Sequence, residues 1–202
     1  MKKIVILLLF TTILTGCVLP PAEKLTTSQM GKTMQYRGFS VKRPDDLRWY
    51  ALKSEQNPYK ATFRIDTKSP THSFFANIEN RKIAIQPRTI KEFKDYVDKE
   101  NLAMGPRHES LSYQSKAITK QGLWAIAYIH KSLDKAAANS NSTLVMKTTG
   151  YIVLHPTWDR TVIDIMYSER GLPEEVDGSF DSIGRDFIDG VVLESEPKVP
   201  IK

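Results

Sequence analysis

From Leu123 to Leu133 the chain is apolar on both of the faces that a strand presents. Trp124, Ile126 and Tyr128 alternate with Leu123, Ala125, Ala127 and Ile129. Successive strand side chains point to opposite sides, so this segment predicts a central strand covered on both faces. Glu109 to Thr119 reads as a second long strand, and Lys120-Gln121-Gly122 between the two is a hairpin signal containing glycine. Long strands joined by short turns pair antiparallel. A doubly wound parallel sheet is thereby excluded.

The rest of the chain agrees. Tyr36 to Arg43 predicts a strand, with Phe39 and Val41 on one face and Pro44 stopping it. Trp49–Leu52, Lys60–Asp66 and Ser73–Ile85 predict further strands, and Asn57-Pro58 a turn. Thr143–Leu154 and Thr161–Tyr167 continue the sheet around the turn His155-Pro156-Thr157-Trp158-Asp159, while Ala136–Ser142 is small and polar, a hairpin tip. Two helices are expected. One opens at a capping box, Thr89-Ile90-Lys91-Glu92, carries Ile90, Phe93, Val97 and Met104 on one face, and ends at Gly105-Pro106. The other spans Pro173 to Leu193, with Val176, Phe180, Ile183 and Phe187 as a narrow apolar stripe. The fold class is α+β, a mainly antiparallel sheet flanked by two helices.

Two segments carry a family likeness. The opening Tyr36-Arg37-Gly38-Phe39-Ser40-Val41-Lys42-Arg43-Pro44 followed by Trp49, and the closing Phe180-Asp181-Ser182-Ile183-Gly184-Arg185-Asp186-Phe187, are similar to the ends of Mog1/PsbP-like domains. The resemblance implies an antiparallel sheet flanked by helices and a role in binding or assembly. It transfers no binding residue.

At the N-terminus, Met1-Lys2-Lys3 precedes an apolar run from Ile4 to Leu14 broken only by Thr11 and Thr12. That is the export pattern, and the run is shorter than the roughly 20 residues a spanning helix needs. Leu14-Thr15-Gly16-Cys17 resembles the bacterial lipobox. The resemblance implies that a diacylglyceryl group is attached to the Cys17 thiol and that cleavage before Cys17 follows. The new amine is often acylated, with a fatty acid such as palmitate. Leu14, Thr15 and Gly16 would be the positions read by the processing enzymes. Cys17 is the only cysteine, so no internal disulfide competes for it. Acyl chains contribute about 0.8 kcal/mol per buried methylene, and more than one chain makes attachment stable. By resemblance to Gram-negative lipoproteins, Val18 in place of an aspartate implies sorting to the outer membrane, facing the periplasm; in a cell with a single membrane the same signal would leave the protein on its outer face.

The expected organisation is a signal peptide over 1–16 and a lipidated cysteine with an extended tether over 17–33. One α+β domain over 34–194 and a tail over 195–202 complete it. Pro20-Pro21 favours extended chain in the tether. Loss of Lys2 and Lys3 leaves 27 basic against 23 acidic side chains, a formal charge of +4. The charges are interspersed, and no nucleic-acid partner is expected.

The chemistry-bearing residues form no catalytic pattern in sequence. His72, His108, His130 and His155 show no H-E-x-x-H spacing, and no G-x-S-x-G elbow is present. Asp177-Gly178-Ser179-Phe180-Asp181 lacks the terminal glutamate of a calcium loop and reads as helix-start chemistry. Ser179 and Ser182 read as helix-surface or cap residues, and Asp45-Asp46 as turn residues. Asn141-Ser142-Thr143 matches a glycosylation sequon, which carries little weight in a protein read as bacterial from its lipobox-like signal. Trp49, Trp158, Tyr151 and Tyr167 are the aromatics to examine for a binding surface, against the simpler expectation of core packing. The expected function is a membrane-anchored, non-enzymatic envelope lipoprotein that binds another envelope protein and needs no cofactor. The alternatives are an anchored binder of an envelope glycan or small ligand, and a hydrolase with an unfamiliar site.

Overall fold

The computed structural model describes residues 22–27, 29–46, 48–52, 57–137 and 142–194. Leu14, Thr15, Gly16, Cys17 and the tail 195–202 lie outside the described residues.

The elements run Ala22–Lys24 (β1), Thr33–Gln35 (β2), Phe39–Lys42 (β3), Trp49–Leu52 (β4), Lys60–Asp66 (β5) and Ser73–Lys82 (β6). Ile90–Leu102 (α1), His108–Lys120 (β7), Leu123–Asp134 (β8), Leu144–Leu154 (β9), Thr161–Gly171 (β10), Asp181–Asp189 (α2) and Val192–Leu193 (β11) follow. Eight strands form one sheet in the order β1-β4-β5-β6-β10-β9-β8-β7, and β11-β3-β2 form a small second sheet. The paired strands are antiparallel. The expected α+β class therefore holds. Among the described residues no helix is long and apolar enough to cross a membrane.

Each helix covers one face. On the α2 side, Trp49, Phe63, Phe74, Ile165 and Tyr167 pack under Phe187 and Ile188, together with Phe39 and Val41 of β3. Phe187 stacks on Trp49 at 6.1 Å and meets Phe63 edge-on at 5.5 Å. Each such side chain, fully buried, contributes about 1.5–3 kcal/mol through burial alone. On the opposite face Phe93 and Val97 of α1 pack on Ile126, Tyr128, Ile152 and Val162.

Local chemistry sets the boundaries. Thr89 Oγ1 accepts from the Glu92 N–H at 3.1 Å, but the Glu92 carboxylate reaches the N–H of Arg88 at 2.8 Å, one residue before the capping-box partner. Helix α1 stops at Leu102, so Met104 is not on its apolar face. In the β7–β8 turn both Gln121 (φ 50°) and Gly122 (φ 81°) are left-handed, as a two-residue turn of type I′ requires. The Gln121 side chain donates to Val191 O and accepts from Leu193 N–H, tying the turn to β11.

Several expectations are corrected. Tyr36–Arg43 is not one strand: Gly38, at φ 85°, makes the turn between β2 and β3. The stretch read as a tether contributes β1, which pairs with β4, and Leu25 is buried in the core. The closing helix, 9 residues, is less than half its expected length, because residues 173–180 form turns around Gly178 (φ 79°) and Val192–Leu193 form β11. Strand β8 has a neighbour on each side but is not covered on both faces. Ile129 is 42% exposed, since α2 packs over β10, two strands away in the sheet.

Candidate functional site

That uncovered face forms a groove. Its walls are Gln114 and Lys116 of β7, Ala127 and Ile129 of β8, Thr149 and Tyr151 of β9, and Arg185 and Ile188 of α2, around a cavity of about 270 Å3. Strand alternation aims these side chains to one side of the sheet, and the end of α2 supplies the far wall. Tyr151 is held by its hydroxyl, 3.0 Å from Asp189, while the Lys120 ammonium lies 4.1 Å from its ring centroid. Burial, then the Asp189 carboxylate, pushes the Tyr151 hydroxyl pKa up.

The charges around the groove are unbalanced. Lys147 pairs with Asp181 at 2.6 Å. Lys116 and Arg185 in the groove and Lys131 further along the same face of β8 are exposed, and none forms an ion pair among the described residues. Strand β7 is the terminal strand of the sheet, so its outer hydrogen-bonding edge has no strand partner among the described residues. Leu111, at the one register irregularity of β7, is also exposed.

A second concavity of about 480 Å3 is lined by Arg37, Tyr59, Asn80, Arg81, Lys82, Trp158 and Thr161. Four separate stretches of chain build it, and nothing in their local pattern marks it. Behind Trp158 lies His155, stacked on it at 4.3 Å. Burial and then the Lys82 charge push the His155 pKa down to about 4.

The aromatics to examine divide evenly. Trp49 and Tyr167 are buried core residues, whereas Tyr151 lines the groove and Trp158 the cleft.

The remaining candidates serve structural contacts. His72 Nε2 lies 2.9 Å from the buried Glu169, whose second oxygen accepts from the Gly178 N–H at 3.2 Å, so this half-buried pair braces the loop before α2. His130 meets Ser110 at 3.0 Å, and burial lowers its pKa. Asp134 takes both donors of Arg107 at 2.7 Å, which hold its carboxyl below the usual range. Among the described residues no group of three His, Asp or Glu side chains is placed to hold a metal. Asp46 accepts from the backbone and guanidinium of Arg48, and Asp177 from the Ser179 N–H, as turn residues do. Asp181 is bound by Lys147 at the start of α2.

No protein-family description and no curated protein matches this chain. Among solved structures it is similar to LpqN, involved in cell envelope biogenesis of Mycobacterium tuberculosis, at 12% identity and a TM-score of 0.45. That match covers 86% of this chain and 90% of LpqN. It is similar to the Saccharomyces cerevisiae Ran-binding protein Mog1p at 8% identity and a TM-score of 0.42, over 80% of this chain and 95% of that one. Cyanobacterial PsbP from Synechocystis matches at 11% identity and a TM-score of 0.39, over 84% and 97% of the two chains.

Proposed function

We propose that the chain is a lipid-anchored, non-enzymatic subunit of the bacterial envelope. Its groove beside α2 holds an extended, acidic segment of another envelope protein. The lipobox-like signal ending at Cys17 supplies the anchor, on the periplasmic face of the outer membrane, and the domain presents the groove to its partner. The observation that carries the reading is the uncovered face of β7–β9. There the exposed Ile129 stands beside Lys116, Lys131 and Arg185, three cations without carboxylate partners among the described residues.

The chemistry of the occupant follows from these walls. A segment laid along β7 adds a strand through backbone hydrogen bonds, and alternate side chains enter the groove. An apolar one reaches across β7 to the exposed Ile129, and acidic ones meet Lys116 and Lys131. Opposite charge speeds encounter and selects the partner, while the apolar contacts hold it.

Site-specific photo-crosslinking in intact envelopes tests this. A crosslinker at position 129 is expected to capture one discrete envelope protein, and a crosslinker at Lys91, on the outer face of α1, none. The adduct at 129 should disappear in Lys116→Glu/Arg185→Glu. No adduct at 129, the same adduct at 91, or an adduct indifferent to the charge reversal would contradict the reading.

A further inference from the structure

The cleft between Tyr59 and Trp158 is built independently of the groove. Arg37, in the β2–β3 turn, donates from Nη1 to the Tyr59 hydroxyl at 2.8 Å, with its guanidinium 5.3 Å from the Tyr59 ring centroid. Tyr59 meets Trp158 edge to face at 6.0 Å and 70°. Trp158 is backed by the buried His155 ring, nearly parallel to it at 12°. The aromatic wall is therefore fixed from both ends.

The tautomer of His155 follows from its contacts. Nδ1 accepts from the backbone N–H groups of Thr157 (3.3 Å) and Trp158 (3.0 Å), so the single proton of the neutral ring sits on Nε2. His155 is 4% exposed, and Nε2 has no hydrogen-bond partner. Asn80 donates from Nδ2 to Arg37 O, and its Oδ1 is closed to solvent and also unpartnered. Both groups border Gly38, where a Cβ would stand 3.0 Å from His155 Nε2 and 3.3 Å from Asn80 Nδ2. Asn80 lines the cleft, while His155 lies behind Trp158 as part of its packed backing.

Arg37 and Lys82 are the cations that face the cleft; Arg81, next to Lys82 in β6, turns to the opposite face of the sheet and meets Asp164 at 3.5 Å. Lys82 is steadied by the carbonyl of Asp159 at 2.8 Å. A guanidinium binds carboxylate and phosphate oxygens in a fixed geometry. The volume of about 480 Å3 lies within the range of ligand pockets. The edge-to-face wall offers no parallel slot for a flat base, but it accepts the puckered C–H face of a sugar.

We infer that this cleft binds an anionic sugar: its carboxylate or phosphate is held by Arg37 and Lys82, and its C–H face lies on Tyr59 and Trp158.

The test is a titration of the full mature, lipidated chain in detergent, following the indole N–H resonances of its three tryptophans. The Trp158 signal is assigned with Trp158→Phe. Glucuronate, glucose 6-phosphate or both are expected to shift Trp158 saturably, with Trp124 unmoved. Glucose and inorganic phosphate, given separately, should bind about tenfold more weakly or worse. Arg37→Gln and Lys82→Gln should each weaken binding about tenfold at unchanged melting temperature, and Lys91→Gln should not. No shift with either anionic sugar would overturn the inference. Phosphate binding as tightly as glucose 6-phosphate would reduce the cleft to a simple anion site, and adenosine monophosphate binding more tightly would make it a nucleotide site. Both results overturn it, as would unchanged affinity in the two charge variants.

Discussion

Gly184 of α2 lies against the ring face of Tyr167 in β10, so close that a Cβ on residue 184 would overlap the ring carbons. Helix and sheet approach this closely only because residue 184 has no side chain. The same approach drives Phe187 and Ile188 into the core and leaves β8 and β7 uncovered beyond the helix.

Two effects oppose each other at this position. Alanine is favoured over glycine inside a helix by about 1 kcal/mol, while overpacking a core costs about 1–3 kcal/mol. Tyr167 is 1% exposed and backed by Phe74 at 5.9 Å, so its ring has nowhere to retreat. Overpacking wins. Gly184→Ala should lower stability by about 1–2 kcal/mol in urea unfolding, and a stabilised variant would contradict the close contact.

The core and the groove should respond differently to one added charge. Phe187 is 8% exposed beneath Trp49 and Phe63, and truncating such a residue costs about 3–5 kcal/mol before the buried charge is counted. Phe187→Asp should abolish cooperative unfolding. Ile129→Asp, on a residue 42% exposed, should stay within about 0.5 kcal/mol of the parent. It should nonetheless weaken capture of the acidic partner by a neighbouring crosslinker at Gln114. A destabilised Ile129→Asp would mean the groove is core.

His155 makes stability depend on pH. Its pKa falls from the ordinary 6.5 to about 4 on folding, through burial first and Lys82 second. Between these values the unfolded chain binds the extra proton. Stability is therefore complete above pH 6.5 and declines as pH falls toward 4, by at most about 3 kcal/mol from this residue. His155→Asn keeps an acceptor for the Thr157 and Trp158 N–H groups but cannot titrate. Urea midpoints of the variant should fall less than those of the parent over this window, and equal declines would contradict the assignment.

Periodicity made most of the sheet legible. Ala61, Phe63 and Ile65 alternate with polar residues, and the helix opening at Thr89 announces itself by its cap. What escaped was set by partners distant in sequence. Gly38 reads as one residue of a strand until its positive φ turns the chain. The stripe from Val176 to Phe187 looks like one helix, yet the turns before Asp181 are secured by Glu169 and Glu175, which bind Gly178 N–H and Leu172 N–H. The apolar pattern of β8 told that it was flanked, not that α2 would pack over β10. Trp49 and Trp158 are alike in sequence, and only the stacking of Phe187 on one and His155 on the other separates core from cleft. The cleft gathers residues 37, 59, 80–82 and 158, and no local signal joins them.

Tethering through Cys17 is tested by intact-mass and peptide mass spectrometry of the mature N-terminus from native membranes. The predicted result is a chain beginning at Cys17, with a diacylglyceryl thioether on its sulfur and the chain lost from the membrane fraction in Cys17→Ala. A free thiol at Cys17, or a leader still attached, would contradict it.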